Sequence, residues 1–153
     1  MNHGDEKTQM GRAMKRIVLT VGFVLAMALW CISAHADDQS MELEAQSVAE
    51  AWLTEIDAGR FGACWDQAGG MIQEAMSRED WESVLNEGRE QLGAMEIRSL
   101  NRSKVQRDPN GAPAGTYVFL EYESTFERID KIKECVVLRQ EPESWRVVAY
   151  FLK

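Results

Sequence analysis

Apolar positions along the chain follow three rhythms. Residues 17–32 are almost continuously apolar, with Ile17, Val18, Leu19, Val21, Phe23, Val24, Leu25, Met27, Leu29 and Trp30 among them. From Met41 the spacing becomes helical. Met41, Ala45, Val48, Ala49, Trp52, Leu53 and Ile56 share one face and predict an amphipathic helix, with Ser40 as its N-cap and Gly59 as its stop. Phe61, Cys64, Trp65 and Ala68 continue that spacing in a short second helix ended by Gly69-Gly70. Ser77-x-x-Asp80 has the form of a capping box and opens a third helix bearing Trp81, Val84, Leu85 and Leu92, stopped by Gly93.

The third rhythm is alternation. Met95 to Gln106 reads as a long, partly exposed strand, and Asp108 to Gly115 as a loop rich in Pro, Gly and Asn. Val118, Leu120, Tyr122 and Phe126 then share one parity, against Tyr117, Phe119, Glu121 and Glu123 on the other. Ile132, Val136 and Leu138 oppose Cys135 and Val137. Glu141-Pro142-Glu143-Ser144 is a turn. In the last strand Trp145, Val147, Ala149 and Phe151 alternate with Arg146, Val148, Tyr150 and Leu152. Helices followed by strands on short turns predict an α+β domain, its three helices covering one face of an antiparallel sheet of about four strands. The last strands carry apolar residues on both parities. Their second face is therefore buried too, or lines a cavity or an interface.

The first apolar run belongs to a different object. Lys15 and Arg16 precede it, and Ala34-His35-Ala36 follows it as a small-residue cleavage pattern. That order is the form of a secretory signal peptide. The run is short for a membrane anchor of about 20 residues, and Trp30 before Cys31 does not suit a lipoprotein site. The expected organisation is a leader over 1–36, removed near Ala36, and a single domain over 37–153 in the periplasm or secreted. Contact with the membrane is expected only through the transient leader. Met14 is an alternative start to Met1.

This cut changes the chemistry on offer. The chain of 153 residues has a net charge of −8 and two histidines, His3 and His35, both in the leader. A mature domain without histidine excludes Ser-His-Asp and Cys-His catalysis and histidine metal sites. The leader also removes more basic than acidic residues, so the remainder is more acidic still. Nucleic acid is not expected as a partner. Of three cysteines, Cys64 and Cys135 remain. In an oxidising compartment they suggest a disulfide, which would stabilise by roughly 3–4 kcal/mol through its long loop; buried free thiols are the alternative.

Several residues could carry function. Asp57 is either a buried acid at a pocket mouth or part of a helix stop with Ala58-Gly59. Asp66, beside Trp65, either faces a ligand or solvates a short helix. Arg89 and Arg98 bind an anion or pair with acidic neighbours. Glu121, Glu123 and Glu134 match no calcium-loop spacing, so no metal and no cofactor is expected. Trp52, Trp65, Trp81 and Trp145 form a stacking platform or, at their core spacing with Leu and Val, a packed interior. Tyr117, Phe119 and Tyr150 sit on parities opposite their core neighbours and are the preferred pocket-wall or dimer-face residues, with Tyr122, Trp65, Asp57 and Arg98 completing the candidate set.

The ordered landmarks resemble the bacterial family called domain of unknown function 4019. They are Ala51-Trp52-Leu53, Ile56 to Phe61, Cys64 to Ala68, Trp81, Arg89, Leu92-Gly93, Arg98, Ala112 to Tyr117, Phe126, Lys133-Glu134 and Trp145 to Phe151. The resemblance implies an exported protein with a nuclear-transport-factor-2-like, cone-shaped fold, and carries over no activity. Cys64 and Cys135 stand where the family usually has polar residues, which favours their pairing. Ketosteroid isomerases share that fold and use an Asp base with a tyrosine; here all three tyrosines lie in the strand half.

Three readings follow. The first is an exported binding or interaction module without catalysis, with an unknown protein as partner or a homodimer through the sheet face. The second is a carrier of a small apolar ligand inside the cone, which requires an enclosed cavity with one or two inward polar groups. The third is an isomerase- or dehydratase-like enzyme working with carboxylates and tyrosines.

Overall fold

The structure is a computed structural model and describes residues 36–153. Of the expected leader, residues 1–35 lie outside the described residues, with both histidines and all of the expected cleavage pattern except Ala36. Residues Ser40–Lys153 make one compact unit.

Four helices precede four strands. Helix α1 runs through residues 36–57, so Ser40 lies within it and is not its N-cap; its hydroxyl donates to Glu44 one turn on, at 3.3 Å. The expected stop is confirmed. Gly59 adopts φ +72°, Gly59 N–H reaches Ile56 O at 3.0 Å, and Arg60 N–H reaches Glu55 O at 2.9 Å. That pair of bonds is a Schellman motif, which glycine at this position permits. α2 is Phe61–Gln67. α3, Gly70–Ala75, is a short helix that the Gly69-Gly70 pair concealed, since two glycines read more naturally as an end than as a start. α4, Arg78–Leu92, begins as expected, with Ser77 Oγ accepting from Asp80 N–H at 3.1 Å, and ends at Gly93 with φ +78°.

Strands β1 (Met95–Arg107), β2 (Thr116–Phe126), β3 (Ile129–Gln140) and β4 (Trp145–Leu152) form an antiparallel meander in the order β1-β2-β3-β4. The fold is α+β. Among the described residues no helix is long and apolar enough to cross a membrane. α1 also protects the β1 edge, because Glu42 Oε1 accepts the free Val105 N–H at 3.2 Å.

The interior lies between the helices and one face of the sheet. Ala45, Ala49, Trp52, Leu53 and Ile56 of α1 meet Val118, Leu120, Tyr122, Val136, Leu138 and Val147 there. Trp52 stands at the centre, with its ring 6.0 Å from Trp81 and 5.4 Å, edge-on, from Tyr150. Each indole N–H of the three helical tryptophans donates to a backbone carbonyl: Trp52 to Cys64, Trp65 to Met76 and Trp81 to Phe61. Burying the ring and satisfying its one donor is how a tryptophan joins a core. The packed-interior reading of these residues is therefore correct. It includes Trp65, which was also a candidate for a pocket wall.

A register shift in β4 overturns one expectation. Val137 pairs with Ala149 but Leu138 pairs with Val147, leaving Val148 as an extra residue. Strict alternation places Tyr150 with Arg146 and Val148. The bulge flips the parity after Val147, so Tyr150 turns inward onto Trp52, while Ala149 and Phe151 turn outward.

Candidate functional site

Where α1, α4 and the sheet converge, four charged side chains meet. Asp57 is the last helical residue of α1, Arg89 is on α4, Arg98 on β1 and Glu134 on β3. Arg98 bridges the two carboxylates. Its Nη1 and Nη2 donate to Asp57 at 2.6 and 3.0 Å, and its Nε and Nη2 to Glu134 at 2.5 and 3.1 Å. Arg89 Nη2 adds a second donor to Asp57 at 2.5 Å, and its guanidinium lies 4.9 Å from the Phe126 ring centre.

The sheet makes this geometry possible. Arg98 pairs in register with Ser124, and Ser124 with Ile132, two residues before Glu134. The guanidinium must cross β2 to reach β3, and the small, wholly buried Ser124 gives it room. Ser124 Oγ itself donates to Glu134 Oε2 at 2.9 Å, and Tyr150 Oη to Glu134 Oε1 at 2.7 Å. Glu134 is 0% exposed, yet each of its oxygens has two donors. Such saturation is what a buried carboxylate needs.

The electrostatics agree. Burial works against the charge on Arg98, but the hydrogen bonds to Asp57 and Glu134 outweigh it and raise its pKa further. Burial, then the Glu134 charge, push the Tyr150 phenol well above its ordinary range. Burial, then Glu50, do the same to Tyr122, whose hydroxyl has no hydrogen-bond partner. With Ser124 on β2 and Tyr150 on β4, these two cations and two anions tie six elements together. Each carboxylate oxygen of the cluster already accepts at least one hydrogen bond from within it.

The candidate residues therefore separate. Asp57, Arg98, Tyr122 and Tyr150 come together at this end of the interior. Arg89 and Arg98 pair with acidic neighbours, and Asp57 is both a helix end and an ion-pair partner. Glu134 shares the parity of Val136 and Leu138, the signal in the sequence that it points inward and not with Glu121 and Glu123. Glu121 and Glu123 face the other side, so the three cannot share a cation; among the described residues no group of three His, Cys, Asp or Glu is placed to hold a metal. Asp66 lies at the surface, 3.3 Å from Arg78.

Tyr117 and Phe119 lie on the outer face of the sheet, but not alike. Tyr117 is 1% exposed, packed with Val137 and Val148 under Met71 and Ala112, and its hydroxyl donates to Pro113 O at 2.8 Å. It is not available as a dimer face. Phe119 lines an open groove of about 240 Å³ further along the same face.

The expected disulfide does not form. Cys64 and Cys135 are both free and buried. Cys64 sits in the helical layer, its thiol directed at Trp52 O at 3.8 Å. Cys135 pairs in register with Glu121 and Phe151 on the outer face. The sheet separates them. Burial pushes the Cys64 thiol up to about 12 and raises Cys135 as well.

The space where a carrier would hold its ligand, between α1 and the sheet, is occupied by Trp52, Trp81, Tyr150, Leu53 and Ile56. Residues 48–150 match the family described as "Protein of unknown function (DUF4019)". No curated protein and no solved structure matches the chain. The family match begins within α1, takes in α2, α3, α4 and the first three strands whole, and ends in β4 at the Tyr150 that closes the ion cluster, and on that evidence the chain belongs to the DUF4019 family.

Proposed function

We propose that this protein is an exported binding module without catalysis, and that it binds through the outer face of its sheet. The carrying observation is a contrast between the two faces. On the inner face, Asp57, Arg98, Glu134 and Tyr150 are bonded to one another and the interior is packed with aromatic rings. On the outer face, Phe119, Cys135, Val137 and Phe151 line an open groove bordered by cations. Apolar residues on both faces of the later strands fit a sheet with one side for folding and one for recognition.

Export is supported by the leader, with its basic start, apolar run and Ala34-His35-Ala36 pattern. A nuclear-transport-factor-2-like cone is the fold reading that goes with it: helices first, then a four-stranded meander with one face on the long helix. The filled interior is the reason for placing binding outside that cone.

The binding reading is tested by NMR with isotope-labelled protein and small organic fragments of either charge. Shift changes are expected at Phe119, Cys135, Val137 and Phe151. Changes confined to Trp52 and Tyr150, or no saturable binding, would overturn it. For export, the full chain is expressed in a Gram-negative host and fractionated. The expected product is periplasmic and begins near Asp37; a full-length product kept in the cytoplasm or membrane counts against it.

A further inference from the structure

The outer groove is built from two rows that cross all four strands. Register aligns Lys104, Phe119, Val137 and Ala149 in one row, and Arg102, Glu121, Cys135 and Phe151 in the next. Val137 and Cys135 of β3 lie between Phe119 on β2 and Phe151 on β4 and form the floor. Half of the outer face is already covered, since Tyr117 and Val148 pack under Met71 and Ala112. Val137, 8% exposed, belongs to that packed cluster and Cys135 is 7% exposed, so the accessible side chains of the two rows include Arg102, Lys104, Phe119 and Phe151.

Charge on the groove is unbalanced. Its one carboxylate, Glu121, is occupied by Lys133 at 3.1 Å and by Asn101 at 3.2 Å. Those contacts, with the Lys133 hydrogen bond foremost, hold it below the usual carboxylate range. Arg102 and Lys104 are exposed on β1; Arg102 faces Glu121 across the strands and shares that carboxylate with Lys133, whereas Lys104 makes no ion pair among the described residues, and Lys153 lies 4.8 Å from the Phe151 ring centre at the opposite edge. In a chain of net charge −8, the groove is lined by three cations, Arg102, Lys104 and Lys153, against one carboxylate.

We infer that this groove takes a small organic anion. Its apolar body lies on Phe119 and Phe151, and its carboxylate, sulfonate or phosphate group faces Arg102 and Lys104. The inference rests on the outer-face reading above. The volume of about 240 Å³ lies just under the range of ligand pockets, ~300–1,000 Å³, and suits a molecule of one or two rings. A second copy suits it less: an isologous contact brings the same cations of two protomers together, and like charges in an interface are costly.

The test is an NMR titration of the protein with naphthoate and with its uncharged isostere naphthamide. Naphthoate is expected to shift Phe119, Val137 and Phe151 and to bind about tenfold tighter than the amide, two exposed charge contacts supplying that factor. Added salt narrows the difference. Arg102→Glu combined with Lys104→Glu removes it, while Arg78→Glu on α4 leaves it intact. The milder Lys104→Gln, which keeps the long side chain, narrows it in part. If the amide binds as tightly as the acid, the anion inference fails and the outer-face reading stands. If neither compound shifts these residues, both fail. Shifts at the same residues that grow with protein concentration, without ligand, assign the face to a second copy and overturn the inference.

Discussion

The Arg98 guanidinium meets the Glu134 carboxylate side-on, Nε to Oε2 at 2.5 Å and Nη2 to Oε1 at 3.1 Å, across a strand that belongs to neither. The Glu134 side chain is 0% exposed and that of Arg98 15%. A buried pair of this kind adds little over a well-packed apolar pair, but breaking it by removing one partner leaves an uncompensated charge. Glu134→Leu is therefore expected to destabilise the protein by about 3–5 kcal/mol, read as a lower urea midpoint. Glu134→Leu with Arg98→Met should recover a large part of that loss. If the double variant is as unstable as the two single losses added together, the coupling is absent.

Alkaline stability follows from the two inward tyrosines. Tyr122 and Tyr150 ionise above the ordinary phenol range, chiefly through burial. In the unfolded chain they ionise near pH 10. Above that pH the unfolded state has released protons that the native state still holds, so stability falls as pH rises, and below it this contribution is fully present. The melting temperature should drop from about pH 10 upward, and absorbance at the phenolate band should lag until the protein unfolds. Tyr150→Phe removes one of these groups and should flatten the alkaline decline, although it costs stability at neutral pH through the lost bond to Glu134. An alkaline decline as steep in that variant as in the parent would refute the assignment.

Local signals in the sequence carried most of the fold. Helical spacing gave the α1 face, Ser77 and Asp80 marked the α4 start, and β2 parity separated Val118 and Leu120 from Phe119 and Glu121. What they missed has specific causes. Alternation puts Tyr150 on the wrong face because a bulge at Val148 is a one-residue event that it cannot register. The ion cluster joins Asp57 to Arg98 and Arg98 to Glu134, contacts that exist only once β2 lies between β1 and β3. The cysteines were paired on compartment chemistry, which knows nothing of which side of a sheet a residue faces. The parity of Cys135, opposite Val136 and Leu138, already placed it away from the helical layer and was the better guide.

Free thiols on two faces give a direct measurement. Cys64 is 0% exposed and its pKa is pushed up to about 12, whereas Cys135 is 7% exposed and lines the outer groove. Thiolate is the reactive form. Both cysteines should label fully in denaturant without prior reduction. In the native protein Cys135 should label first and Cys64 only at the rate of unfolding. A reductant should leave the melting temperature unchanged, and a drop of several degrees would restore the disulfide.

Two glycines with open space around them should respond in opposite directions. A Cβ at Gly88 or at Gly59 meets nothing within 4 Å, so packing does not separate the two cases. Backbone conformation does. Gly88 lies in the interior of α4, where alanine loses less conformational entropy on folding than glycine. Gly88→Ala is expected to stabilise by about 0.5–1 kcal/mol. Gly59 holds φ +72° in the motif that closes α1, and an L side chain there costs about 1–2 kcal/mol. Gly59→Ala should destabilise by that amount, and it does so next to Asp57. Loss of the α1 end therefore should also loosen the Asp57 contacts with Arg89 and Arg98, visible as faster amide exchange at Ala58 and Arg60. A Gly59→Ala variant as stable as the parent would mean that α1 does not end in the left-handed turn described here, and the placement of Asp57 against the two arginines would have to be redrawn with it.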